Sequence, residues 1–315
     1  MKNVAVTGGA GFIGSALVRG LLDDGVERVV VIDNLLSGKR ENLDGIADRV
    51  EFVEADVRDR AALVEAFSGV DTVFHEAAIA SVPRSIDDPE VCHEINVDGA
   101  FNALFAAKKN SVRRVVFAAS SAAYGDGPGL SKHEEMRPAP VSPYGVHKVV
   151  GELYLKSFFD SFGLETVALR YFNVFGPRQD PSSPYSGVLS IFIDRLLAGE
   201  APLIYGDGEQ TRDFIFVEDI VRLNLLAAKT PEAAGRLYNG GCGESVSINR
   251  VWELLQQAAG KQIVARHELA RPGDARHSCA DIRRAREELG FEPAVSLKEG
   301  LRLTLEWAGA VNRER

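Results

Sequence analysis

In VAVTGGAGFIG (Val4–Gly14), an apolar run meets three glycines spaced three residues apart, and FIGSALVRGLLDD then continues with helical periodicity. Gly8, Gly11 and Gly14 therefore read as a turn between a first strand and a first helix. Glycine lets such a turn tighten and lets backbone approach a ligand. The helix N-terminus adds unpaired N–H groups and the positive end of its dipole. A glycine turn alone is weak evidence; one that follows a strand and opens a helix is a candidate pyrophosphate cradle, here Gly8, Gly11, Phe12, Ile13 and Gly14. Asp33 ends the next apolar run, nineteen residues beyond Gly14. A carboxylate there can accept hydrogen bonds from an adenosine ribose and repels a 2′-phosphate, which favours NAD over NADP. Lys39 and Arg40 stand close enough to weigh the other way.

Outward from the turn, short β-rich runs recur at 3–7, 28–33, 49–56, 71–77, 113–120 and 165–170, with helix-like segments such as NVDGAFNALFAAKKN between them. Alternation of this kind implies parallel βαβ units and a Rossmann-type, doubly wound α/β sheet over residues 1–175. FGPRQDPSSPYSG then reads as a long loop. Helices are expected at 188–199, 217–229, 247–259, 281–289 and 297–308, forming a smaller α+β lobe over 176–315 that returns some segments to the larger domain. The ligand belongs in the cleft between the two.

The chain has 315 residues, 45% hydrophobic and 26% charged, with a net charge of −9 and no lysine or arginine block. That balance disfavours nucleic acid and anionic membrane as partners. No apolar run is long enough to span a bilayer, and no signal peptide is expected before the first glycine turn. Cys92, Cys242 and Cys279 form no CxxC pair and have no histidine at ligand spacing. No metal site is expected, and the usage suits a reducing cytoplasm.

A second motif is SPYGVHK (142–148). Ser142 is a good N-cap, Pro143 suits the first helical turn, and Tyr144 and Lys148 lie one turn apart on one face. A free phenol has a pKa near ~10, so about one in a thousand is ionised at neutral pH. Acting as a base there takes a fall of roughly three units, about 4 kcal/mol. An ammonium ~4–6 Å away contributes on the order of 3–4 kcal/mol at an effective dielectric of ~20, and the positive nicotinamide of oxidised NAD would add to that.

The GxxGxxG spacing, Asp33–Asn34, Asp56–Val57, HEAA (75–78), Asn96, Ser120 and YxxxK together resemble the extended short-chain dehydrogenase/reductases. Within them the chain is similar to the NAD-dependent sugar-nucleotide 4-epimerases, from Val4 to about Leu301. The resemblance implies that Asn34, Asp56, Val57, Ala77, Ala78, Asn96, Tyr144 and Lys148 contact NAD beside the glycine turn. It makes Ser120, Tyr144 and Lys148 catalytic. Tyr144 would take the proton of a sugar 4-hydroxyl while hydride passes to NAD; the 4-keto sugar would turn over and hydride return to its other face. It also implies a UDP-sugar bound by Ser81, Ser121, Tyr171, Asn173, Val188, Tyr205, Arg212, Arg271, Asp274 and Ser278. Tyr205 would pack on uracil, Arg212 and Arg271 would hold the diphosphate, for which arginine's fork is suited, and Asp274 would hold the ribose.

One departure is informative. Relatives restricted to unacetylated hexoses commonly carry a bulky aromatic at the position of Ser278, so this chain is expected to admit UDP-N-acetylglucosamine as well as UDP-glucose. The related 4,6-dehydratases place Asp-Glu after the catalytic Ser/Thr, where Ser121–Ala122 stand here, and this counts against dehydration. A UDP-glucuronate epimerase or decarboxylase stays open, since one basic contact could favour a carboxylated sugar. A non-catalytic NAD-sensing protein would have no need to keep Ser120, Tyr144 and Lys148 together. His75 and His147 are expected to pack or hydrogen-bond. A homodimer is expected through the helices near 92–109 and 143–161.

Overall fold

The computed structural model describes residues 1–126, 129, 131–180, 187–269 and 276–314. The β-branched runs of the first half form strands because such residues pack well in a sheet covered on both faces. Seven strands lie parallel in the order Arg236–Gly240, Glu165–Tyr171, Arg114–Ser120, Thr72–His75, Asn3–Thr7, Arg28–Asp33, Glu51–Glu54. The chain builds outward in one direction from Asn3–Thr7, then starts again on its other side at Thr72–His75. The crevice beyond the carboxyl ends at such a switch point is where open α/β sheets take ligands. Thr7 is level with Ile32 and with His75, so the ends of the three central strands meet there.

Helices cover both faces. Leu17, Val18 and Leu21 of Phe12–Asp23 pack with Ile220, Leu223 and Ala227 of Val217–Lys229 on one side. Leu63, Ala103, Ala107, Leu155 and Phe158 pack on the other, from Arg60–Ala66, Gly99–Lys109 and Pro143–Phe162. The helix expected from residue 96 begins only at Gly99, because Glu94–Asp98 winds as a π-turn. That wider turn lets buried Asn96 reach the backbone of Ile79, accepting from its N at 2.8 Å and donating to its O at 3.1 Å.

The strand Asn173–Phe175 leaves the large sheet and pairs with Phe214–Phe216. It leads into a second core of Phe192, Ile193, Leu196, Val251, Trp252, Leu255 and Leu301. The chain then returns, since Arg236–Gly240 pairs with Glu165–Tyr171. Fully buried Arg114 ties this return down. It donates to Glu165 at 2.8 Å and to the carbonyls of Ala227 and Thr230, satisfying the open end of the preceding helix.

Candidate active site

A cavity of about 1360 Å³ opens along the switch point between the two cores. Small-ligand sites commonly run to ~300–1,000 Å³, so there is room for two nucleotides. At its outer end Gly8 has φ +69 and donates to Ile32 O at 2.7 Å. A Cβ on Gly14 would lie 2.1 Å from Gly8 O, so the turn requires glycine at that close approach. Gly11 caps the helix without any side-chain bond, which leaves the first-turn N–H groups facing the cavity. Phe12, Ile13, Asp33, Asn34, Val57, Ala77 and Ala78 line the same end. The Asp33 carboxylate accepts from Ala10 N at 2.9 Å and Leu35 N at 2.8 Å, and burial pushes its pKa up.

Two residues expected on the cofactor lie off the cavity wall. Asp56 joins Arg58 and Asn34 in a partly exposed network, and hydrogen bonds from Arg58 pull its carboxyl down to about 2. Asn96 spends its amide on Ile79, and so fixes the wall rather than lining it.

At the inner end the structure brings Ser120, Tyr144 and Lys148 together. Ser120 ends the strand Arg114–Ser120. Ser142 caps the helix Pro143–Phe162, accepting from Gly145 N at 3.2 Å, and this sets the turn on which Tyr144 and Lys148 face the strand ends. Lys148 Nζ donates to Ala118 O at 2.6 Å and lies 5.9 Å from the centre of the Tyr144 ring. Burial pulls the ammonium down to about 8, and Glu76 opposes that shift. The phenol departs from the sequence expectation. In the chain by itself its pKa is raised, first by burial and then by the Glu76 charge, against a lowering hydrogen bond from Ser120. His75 is kept neutral, its pKa driven to about 3 by burial and by Lys148, while Nδ1 bonds Thr7 Oγ1 at 2.8 Å.

Of the residues expected on the sugar nucleotide, Ser81 and Tyr171 line the cavity. Asn173, Arg212 and Ser278 are not among the lining residues but lie close to one another around Thr211–Asp213. Asn173 donates to Asp213 O at 2.8 Å, Arg212 donates to Thr211 O at 2.9 Å, and Ser278 N donates to that same Thr211 carbonyl at 3.1 Å. Ser121, Val188 and Tyr205 lie outside the lining residues, Val188 against the second core. Arg271 and Asp274 fall outside the described residues.

The cavity also holds groups that the sequence reading passed over, among them Phe172, Arg178 and Glu76. Arg178 adopts a left-handed backbone with φ 72, and burial and Arg19 lower its pKa. Burial raises Glu76 to about 7, and it accepts from Tyr171 Oη at 2.9 Å. The signal for Glu76 was present in HEAA, as an acid at the end of a buried strand.

A turn that fits a pyrophosphate and a buried Ser-Tyr-Lys cluster now share one cavity. The profile of the NAD dependent epimerase/dehydratase family matches residues 4–241. The chain belongs to that family. Members of the NAD dependent epimerase/dehydratase family are enzymes, and NAD is the cofactor of this one. It is 41% identical over 307 residues to the UDP-glucose 4-epimerase of Mycolicibacterium smegmatis, covering 96% of this chain and 97% of that one. The structure of a UDP-N-acetylglucosamine 4-epimerase from Methanobrevibacter ruminantium, in complex with UDP-N-acetylmuramic acid, aligns with a TM-score of 0.94 at 43% identity, covering 98% and 99% of the two chains. The UDP-glucose 4-epimerase of Thermus thermophilus in complex with NAD aligns at 0.89 and 39% identity, covering 97% and 98%. Among the described residues, no helix is long and apolar enough to cross a membrane.

Proposed function

We propose that this enzyme inverts C4 of a UDP-hexose, interconverting UDP-glucose with UDP-galactose and UDP-N-acetylglucosamine with its galacto epimer. The observation that carries this reading is the buried Ser120–Tyr144–Lys148 cluster, inside a cavity whose other end is the glycine turn. NAD, when bound, supplies the hydride acceptor and donor, and the positive charge that the buried phenol lacks. The first-turn N–H groups of Phe12–Asp23 hold the pyrophosphate and Asp33 the adenosine ribose. Ser120 and Lys148 hold the nicotinamide ribose. Tyr144 removes the proton of the 4-hydroxyl and later returns it to the other face of the same carbon. Walls formed by both lobes exclude water while the keto sugar turns.

The sugar nucleotide is held from the second lobe by Asn173, Tyr205, Arg212, Arg271 and Asp274, with Ser81, Ser121, Tyr171 and Val188 nearer the sugar. Ser278 is small and adjoins Thr211 and Arg212; in our reading it leaves room for an N-acetyl group. Two copies pair through Pro143–Phe162, where Val146 and Leu153 are 45% and 65% exposed on one face. The cysteines, all free thiols, suit a cytoplasmic enzyme. The test is to incubate purified protein, without added NAD, with UDP-glucose, UDP-N-acetylglucosamine and UDP-glucuronate and follow each C4 epimer by proton NMR. Turnover of the first two supports the reading. Turnover of UDP-glucuronate alone would replace it with a glucuronate epimerase, and no turnover of any would reject it.

A further inference from the structure

Of the cavity's ionisable groups, Glu76 has no part in the proton transfer above. Its carboxylate sits at the inner end with Tyr144, Lys148 and Tyr171. Tyr171 donates to Oε1 at 2.9 Å, Asn224 donates to Tyr171 Oη at 2.7 Å, and the same Asn224 amide donates to Ile220 O at 2.9 Å. Three elements thus aim the carboxylate: the loop after Thr72–His75, the strand Glu165–Tyr171 and the helix Val217–Lys229. A buried acid costs free energy unless a cation is near. Lys148 is one such cation, and it also donates to Ala118 O.

We propose that Glu76 sets the redox balance of the bound cofactor, its carboxylate stabilising the cationic oxidised nicotinamide over the neutral reduced one. The inference rests on the cofactor placement given under the proposed function. Lys148 and Glu76 are charged groups at Tyr144 on the inner end of the cavity, and Arg84 lines the same cavity on the helix whose Ser85 Oγ accepts from Tyr144 N at 3.1 Å. An oxidised ring brings a second positive charge beside the ammonium, and a reduced ring brings none. The carboxylate therefore attracts the ring in one redox state only, whereas Lys148 repels that same state. An enzyme that must return its hydride in every cycle gains from this bias, because it opposes stalling with reduced cofactor and an escaped keto sugar.

The experiment compares native holoenzyme with Glu76→Gln and Glu76→Asp. Glutamine keeps an acceptor oxygen for Tyr171 and removes the charge; aspartate keeps the charge. Each protein is equilibrated with a dye couple of known potential, at one pH above the Glu76 value of about 7, and the reduced fraction is read from nicotinamide absorbance. The reduced-to-oxidised ratio is expected to rise at least tenfold in E76Q, about 30 mV for a two-electron couple, with E76D nearer to native. A ratio within about twofold of native in E76Q overturns the inference. If a variant sheds its cofactor, the ratio of its dissociation constants for NAD and NADH carries the same comparison, with tenfold selective loss of NAD expected; equal loss of both overturns the inference. A native protein that binds neither form would instead reject the functional reading itself.

Discussion

Lys148→Met tests whether charge makes the buried phenol a usable base. The ammonium lies 5.9 Å from the centre of the Tyr144 ring, and at an effective dielectric of ~20 two unit charges at that distance attract by about 3 kcal/mol, or about two pKa units. Methionine keeps the length and apolar stem of the side chain and removes the charge. Losing a positive neighbour raises the pKa of the phenol, so the acid limb of the kcat profile moves up by about two pH units. Below that limb kcat falls about a hundredfold, and the deficit narrows as pH rises. The substitution leaves Ala118 O without its donor and removes one of the cations near Glu76. In our reading the oxidised nicotinamide remains as a positive neighbour of that carboxylate, so the charge removed at Tyr144 is that of the lysine alone. The assay follows epimer formation by proton NMR across the pH range in which the protein stays folded, with bound NAD counted by absorbance and saturated in every sample. A variant that is slow but keeps its acid limb in place would mean that the lysine only positions the cofactor, and the electrostatic argument would fail.

Tyr144→Phe should lower turnover by about 100- to 10,000-fold, the range expected for a lost acid–base group, while calorimetry finds the protein folded and absorbance finds it NAD-loaded. In Gly14→Ala the new Cβ meets Gly8 O at 2.1 Å, a backbone atom that cannot step aside. The variant should lose about 1–3 kcal/mol in denaturant unfolding and emerge from gel filtration without cofactor. Ser278→Tyr should suppress UDP-N-acetylglucosamine turnover at least ~10-fold more than UDP-glucose turnover, and equal losses would refute the gate.

Much of this was legible in the sequence because its signals are local. Runs of valine and isoleucine bounded by turns marked six of the seven sheet strands, and Ser142–Pro143 marked the start of the catalytic helix. The seventh strand, RLYNG at 236–240, is short and partly polar. Its place depends on pairing with Glu165–Tyr171, a partner that no local pattern names. Asn96 sat in a helical pattern, and only the fold reveals that its amide is spent on Ile79. The direction of the Tyr144 shift was misread for a related reason: spacing identified the lysine, but burial and the Glu76 charge come from the assembled cavity. Glu76 and Tyr171 lie 95 residues apart in the chain, so their hydrogen bond leaves no mark in either segment.

The most direct test uses UDP-glucose carrying deuterium at C4, incubated with purified protein in ordinary water without added NAD, and reads the product by NMR. Reversible hydride loan within one cavity predicts UDP-galactose that keeps its deuterium at C4. Inverted product with that deuterium exchanged for solvent hydrogen would contradict the account, because the carbon would then have lost a proton rather than a hydride.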